Sequence, residues 1–362
     1  MKYFIWILLI VQISCKQKQK EIVQIPHDSF KLEIIDTVFY DFPYFKFASK
    51  FNSKLLGYNP FNNDVVIFDI GSLELSYFNN FGSGPEEYFL LYNNLGFTEN
   101  QEIIIAGIKD FKIFDINGNF IKDFIFNRES TRAPVLKPFG MGNSIFGINL
   151  PQGMSSNPDF FKKQHDLLIK FDTNKESSKL ISDFPFKKLN NLEGYYLNNG
   201  LIISYIDDKK LYLMDQNETV LRRYDLKSKK EEDPLVLDLE YFEPQLLPFG
   251  KKFTSEQLKF LSAMNSSLYD IFIQENLVFV IYDLAYTENE IQDYYKDISK
   301  MDNKNGPPIR YVLHVSDKEG NRVKNDIIIP LEFGRPIFAC EDYVLTLIEG
   351  SNNNLLLKLK FS

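Results

Sequence analysis

The chain has 362 residues, 44% hydrophobic and 25% charged, the balance of a soluble globular protein able to bury a core without disulfide or metal staples. Its net charge is −8, becoming −9 if a leader whose only charge is Lys2 is removed, and an acidic domain repels phosphate backbones, which argues against nucleic acid as a partner. Phe and Tyr are used 34 and 20 times beside a single Trp, a bias toward strands over helices.

Residues 1–14 read as an export leader: Met1–Lys2–Tyr3, an apolar run from Phe4 to Val11 too short to span a bilayer, then Gln12–Ile13–Ser14. A small residue directly before Cys15 resembles the lipobox of bacterial lipoproteins, which makes Cys15 the expected lipid-attachment residue. An ordinary cleaved signal peptide is the rival reading. Residues 15–28 follow as a polar tether, opening Lys16–Gln17–Lys18–Gln19–Lys20–Glu21. Diacylation plus an amide-linked chain gives stable anchoring, where a single acyl chain is marginal.

Residues 29–362 are read as one domain built from repeats. A strand ending in Asp, a polar turn and a second strand recur at Ile67–Phe68–Asp69, Ile113–Phe114–Asp115, Lys170–Phe171–Asp172, Leu213–Met214–Asp215 and His314–Val315–Ser316–Asp317. The aspartates lie 46, 57, 43 and 102 residues apart. The first three gaps suit one four-stranded blade each, for which ~40–50 residues is usual. Asp and Asn serve such turns because their side chains bond to backbone two residues on and tolerate left-handed φ. A blade cannot bury both faces alone, so blades must stack, and a ring does so without exposing long edges.

Within the long gap, Thr254–Ser255–Glu256–Gln257 and Thr287–Glu288–Asn289–Glu290 have capping-box spacing, each followed by apolar residues at helical intervals. Two helical insertions are expected, at about 250–265 and 287–300, in one blade; a seventh blade there is the alternative. Their aromatics Phe260, Tyr294 and Tyr295 belong either to stripes packed on the ring or to a docking surface. The loop from Asn149 to Gln164, with Met154, Phe160 and Phe161, is a second candidate surface. At the C-terminus, Ile337–Cys340, Tyr343–Ile348 and Leu355–Phe361 supply three strands, and Phe30–Val38 supplies a fourth from the N-terminus. The expected fold is therefore an all-β, six-bladed propeller closed by its two termini.

The run Phe81–Gly82–Ser83–Gly84–Pro85–Glu86–Glu87–Tyr88, with Phe114–Asp115–Ile116–Asn117–Gly118 after it, resembles an NHL-type propeller repeat. With the leader, the chain resembles the TolB-like six-bladed propeller lipoproteins of Gram-negative envelopes. That resemblance implies a fold, an envelope location and a binding habit, and no reaction.

The chemistry-bearing residues have plain alternatives. Glu86 and Glu87 are adjacent on an extended segment and point to opposite sides, which suits an inter-blade corner better than an acid–base pair. Asp115–Asn119 has glycine fourth rather than sixth and no distal Glu, so a hairpin turn is preferred to a calcium loop. His27, His165 and His314 are scattered, and no Gly-x-Ser-x-Gly elbow is present. His314 reads as a partnered strand residue and Cys340 as an inert core thiol. No catalytic residue, metal or cofactor is expected. The function expected is a non-enzymatic, lipid-anchored binding or scaffolding module for a protein or glycan partner. The rival is a propeller lyase or glycan hydrolase with an acidic and histidine site in the central funnel.

Overall fold

The computed structural model describes residues 32–40, 45–125, 134–149, 168–175, 177–182, 194–196, 202–207, 210–228, 230–248, 251–274, 276–296, 306–340, 342–349 and 354–361. The leader, Cys15, the tether, His27, His165 and most of the 149–164 loop lie outside them. No helix among the described residues is long and apolar enough to cross a membrane.

Six four-stranded antiparallel sheets form the ring. Strand β1 (Leu32–Tyr40) belongs to the last of them. Blade 1 holds β2 (Lys46–Phe51), β3 (Lys54–Tyr58), β4 (Val65–Asp69) and β5 (Glu74–Phe78); blade 2 holds β6 (Leu95–Phe97), β7 (Ile103–Ala106), β8 (Asp110–Phe114) and β9 (Phe120–Ile125). Blade 3 holds β10 (Leu136–Met141), β11 (Ser144–Ile148), β12 (Leu168–Asp172) and β13 (Ser177–Ser182). A short strand β14 (Gly194–Tyr196) precedes blade 4, which is β15 (Ile202–Asp207), β16 (Lys210–Asp215), β17 (Val220–Asp225) and β18 (Lys230–Val236). Strand β19 (Leu246–Pro248) pairs back with β14 as a two-stranded ribbon that the sequence did not announce. Blade 5 holds β20 (Leu268–Gln274), β21 (Leu277–Asp283), β22 (Tyr311–Asp317) and β23 (Arg322–Ile329).

Blade 6 combines β24 (Arg335–Ala339), β25 (Tyr343–Glu349) and β26 (Asn354–Phe361) with β1, which runs antiparallel to β26 from Leu32↔Phe361 to Tyr40↔Asn354. The chain is thus clasped by its own first described strand. Tying the termini into one sheet closes the ring through the backbone hydrogen bonds between β1 and β26 and covers what is otherwise an open edge.

Burial explains why the sequence alternates in some strands and not in others. Inner strands are covered on both faces by neighbouring blades, so β4 reads Val65–Val66–Ile67–Phe68 with all four side chains buried. Outermost strands face solvent on one side, and the first half of β23 (Arg322–Ile329) alternates accordingly, with Val323 and Asn325 exposed and Arg322 and Lys324 half-buried. The core is a set of layers between blades. Phe78 meets Phe114 across the first interface (ring centroids 5.8 Å), Phe111 meets Phe171 across the next (5.5 Å), and Phe272 meets Phe338 between blades 5 and 6 (5.5 Å). The heavy use of Phe serves this purpose, since each ring fills a gap between flat sheets and tilted pairs add to the burial gain.

The recurring aspartates mark hairpins, with one correction. Asp69, Asp115, Asp172 and Asp317 stand at the turn between third and fourth strands. Asp215 instead ends the second strand of blade 4, and the equivalent turn residue there is Asp225, ten positions later. Two successive strands of that blade end in Asp, and only the later one stands at the repeat's turn.

Candidate functional site

Successive strands of a blade run up and down, so the turns between strands one and two and between three and four emerge at one end of the ring. The turns between strands two and three and the links from one blade to the next emerge at the other. These two ends are built differently.

At the first end the Asp turns are closed on themselves. Asp115 Oδ1 accepts from the backbone N–H of Asn117 (2.8 Å) and Asn119 (2.9 Å), and its Oδ2 accepts from Asn119 Nδ2 (2.7 Å). Asp317 repeats this with Glu319 (3.0 Å), Asn321 (2.7 Å) and Asn321 Nδ2 (2.8 Å). Gly118 and Gly320 supply the left-handed residue in each turn, at φ 87° and 91°. Asp225 accepts from Lys227 and Ser228 N–H at 2.8 and 2.7 Å. Hydrogen bonds to the charged form hold the Asp115, Asp225 and Asp317 carboxyls below the usual range, the Asn119 amide, the Ser228 N–H and the Asn321 amide being the leading causes. Both Asp115 oxygens are occupied by N–H donors, which is the hairpin arrangement.

The second end carries every described insertion. Helix α1 (Ser255–Ala263) lies in the link between blades 4 and 5, and α2 (Glu288–Lys296) lies between β21 and β22. Both fall inside the expected spans. Thr254 and Gln257 form the anticipated capping box on α1, and Thr287 and Glu290 exchange the same pair of bonds before α2. Helix α2 packs onto the ring through Ile291, which is fully buried. Helix α1 buries none of its residues and leaves Leu258 36% exposed, so its stripe is only partly docked.

The Gly–Pro corner is at this end too, and it is structural. Glu87 Oε2 accepts from Gly84 N–H (2.7 Å), Gly82 N–H bonds to Tyr88 carbonyl (2.9 Å), and the Tyr88 hydroxyl donates to Asn63 carbonyl (2.8 Å). The Tyr88 ring packs against Phe78 and Phe114. Glu86 and Glu87 do not converge on a common point as a catalytic pair.

Among the described residues, the axial space between β2, β10, β20 and β24 amounts to about 50 Å³, lined by apolar Phe47, Ala48, Phe139 and Ile271 and by polar Ser49 and Lys50. Its one carboxylate, Asp270, faces Lys137 across the axis at 3.9 Å. Lys137 sits at a bulge with φ 43°, a conformation that costs a non-glycine residue about 1 kcal/mol or more. The adjoining Pro138 carbonyl lies where a Cβ on Gly96 would be, so glycine is required at that point of β6. Burial raises the Asp270 carboxyl, and the Lys137 charge opposes that shift.

His314 is fully buried and its Nδ1 lies 2.7 Å from Asp326 Oδ1. Asp326 Oδ2 accepts from the Tyr282 hydroxyl and from Glu240 N–H (2.9 Å), which ties the outer strands of blade 5 to the segment following blade 4. The sequence assignment of a partnered strand histidine therefore holds. Cys340 is 5% exposed, and burial pushes its thiol up, away from the reactive thiolate.

A larger cavity, about 360 Å³, opens between α1 and residues 306–310 at the insertion end. Asn265, Asp283 and Arg310 line it together with Ala263, Leu284 and Pro308. Desolvation pushes the Asp283 carboxyl up to about 6, against the pull of its Ser267 hydrogen bond. None of these residues was picked out from sequence. One signal was present: Asp283 ends an apolar strand like the repeat aspartates, yet Leu284–Ala285–Tyr286 follows instead of turn residues.

No protein-family model matches the chain. No curated protein matches it either. Solved structures share its fold. A member of the DUF4221 family from Bacteroides vulgatus superposes with a TM-score of 0.63 at 11% identity, over 92% of this chain and 98% of the other. A Bacteroides fragilis protein designated as exported gives 0.53 at 14% identity, over 92% and 95%. At these identities the likeness is one of fold.

Proposed function

We propose that this protein is an exported propeller, held to the cell envelope by a lipid on Cys15, that works as a non-enzymatic binding module for a protein or glycan at its insertion end. Kinship with the TolB-like propeller lipoproteins is part of this reading and rests on the leader and on residues 81–118. The exported designation of the Bacteroides fragilis fold relative is in keeping with it.

The observation that carries the binding role is the contrast along the axis. A hydrolase or lyase using the funnel needs at least two titratable groups converging on one substrate atom. Among the described residues the axial space offers one carboxylate, Asp270, opposed by Lys137, with Lys50 the other charged group lining it, so no pair of carboxylates and no histidine meets there, and the blade histidine is sealed inside blade 5. The larger open volume, about 360 Å³, is instead at the insertion end.

Two experiments test the reading. Cys15→Ala should release the protein from the membrane fraction, and unchanged retention would remove the anchor. A photo-crosslinking residue in place of Ile309, which is 50% exposed beside the cavity, should capture a specific envelope component. The same residue placed at Ser228 on the hairpin end should not. Turnover of an envelope polysaccharide by the purified protein, abolished by Asp270→Asn, would establish the enzyme reading in its place.

A further inference from the structure

We infer that the hairpin end of the ring is its lipid-facing surface, and that the insertion end is held away from the bilayer, where a partner reaches it from the water. The inference rests on the Cys15 anchor proposed above and adds the direction in which that anchor turns the ring.

In blades 1 to 5 the third strand passes to the fourth through a turn at the hairpin end. Blade 6 has no such turn. Its third strand, β26, runs to Phe361 and its fourth, β1, starts at Leu32, and these two residues are register partners. Neighbouring strands fix the direction of β1. Strand β25 passes to β26 at the pair Glu349↔Asn354, a second-to-third turn, so Asn354 and its partner Tyr40 lie at the insertion end. Leu32 therefore lies at the hairpin end. From Tyr40 the chain goes on to Lys46, the start of the first strand of blade 1, as a link between blades does. The segment that joins Cys15 to the ring thus meets it at the hairpin end.

Length makes this entry point decisive. Between Cys15 and Leu32 lie sixteen residues, which span at most about 55 Å in any conformation. Strand β1 has nine residues and is about 30 Å long. With the hairpin end toward the lipid, none of that reach is needed to pass the ring. To turn the insertion end toward the lipid, the segment has to run back along the outside of blade 6 for the length of β1. That uses more than half of its greatest reach, and each residue held extended gives up backbone freedom.

The build of the two ends agrees. At the hairpin end the turn aspartates are closed on their own backbone and no described insertion stands out, so this end can approach a flat surface. Helices α1 and α2 and the cavity beside residues 306–310 are at the other end.

The test is energy transfer from a fluorophore on the ring to acceptor-labelled lipid. The acylated full-length chain is reconstituted in vesicles of phosphatidylcholine and phosphatidylethanolamine. Ser72→Cys and Ser228→Cys carry the label at the hairpin end, on blades 1 and 4. Lys109→Cys and Ile309→Cys carry it at the insertion end, on blades 2 and 5. All four positions are exposed, and each pair spans the ring, so a sideways tilt largely cancels in the mean of a pair. The parent chain is the blank, its thiol at Cys340 being 5% exposed. Mean transfer from the hairpin-end pair should exceed that from the insertion-end pair at least twofold. A smaller difference, or one of opposite sign, would overturn the inference. Flotation of the same vesicles reads the anchor separately. A chain that floats without the twofold difference loses only its orientation. A chain that fails to float loses the anchor, and this inference with it.

Discussion

Two aspartates, each ending a strand of blade 5, show how the two ends of the ring differ. Asp317 closes the turn to β23, and its oxygens take three N–H donors. Asp283 begins the excursion to α2, and it has one donor, Ser267, and one buried oxygen with none. The first carboxyl is held below its ordinary value by hydrogen bonds from Asn321, and the second is raised by desolvation. One residue type thus does opposite physical work thirty-four positions apart in the same sheet. The turn aspartate serves folding. The insertion aspartate opposes it, and a group kept against its own stability is where a ligand is to be sought.

The largest expected effect bears on whether burial alone separates these cases. Asp326 is as buried as any carboxylate described, yet it is fully engaged by His314, Tyr282 and Glu240 N–H. Asp326→Ala leaves His314 Nδ1, the Tyr282 hydroxyl proton and Glu240 N–H without their acceptor and should cost about 3–5 kcal/mol in urea unfolding. A cost under about 1 kcal/mol would mean that satisfied and unsatisfied buried carboxylates do not differ as supposed.

A smaller loss is expected at the turns. Asp317→Ala removes three hydrogen bonds at a solvent-exposed hairpin and should lower the urea midpoint by less than Asp326→Ala does, with no effect on capture by a crosslinker at Ile309. Loss of capture would merge the two ends into one functional unit.

The pH response gives the finest distinction. Carboxyls held low, at Asp69, Asp115, Asp225 and Asp317, lend stability above their ordinary value of 3.8 that is lost as pH falls. Carboxyls raised to about 6, at Asp215 and Asp283, act in the other sense: their contribution is complete below 3.8 and disappears as pH rises through about 6. Thermal unfolding followed from pH 3 to 8 should show Asp317→Ala converging on the parent chain at the acid end. A constant offset at every pH would detach the turn bonds from ionisation.

Much of the ring was legible in the sequence, because a turn Asp and an apolar strand are local features. Strands 65–69, 110–114 and 311–317 announce themselves by composition, and the closure of β1 on β26 follows from three C-terminal strands that need a fourth. Blade 4 misled because Met214–Asp215 and Tyr224–Asp225 both end strands, and local patterning cannot tell a second strand from a third. The cavity left one local mark in the sequence, Asp283 ending a strand with no turn residues after it, and was otherwise not legible. Asn265, Asp283 and Arg310 come from separate stretches of chain, and only the convergence of inter-blade links and second-to-third turns at one end brings them together. The short ribbon of β14 with β19 was hidden for the same reason, its partners lying some fifty residues apart.

The most direct test of the account is the unfolding free energy of Asp283→Asn at pH 7.5. This change keeps the shape and the bond from Ser267, removes the charge and puts an amide NH2 where the unpartnered oxygen was. The account predicts a protein at least as stable as the parent, with a flatter dependence on pH between 4 and 6. A loss comparable to that of Asp317→Ala would show that the Asp283 carboxylate supports the fold, and the distinction between the two ends would not stand.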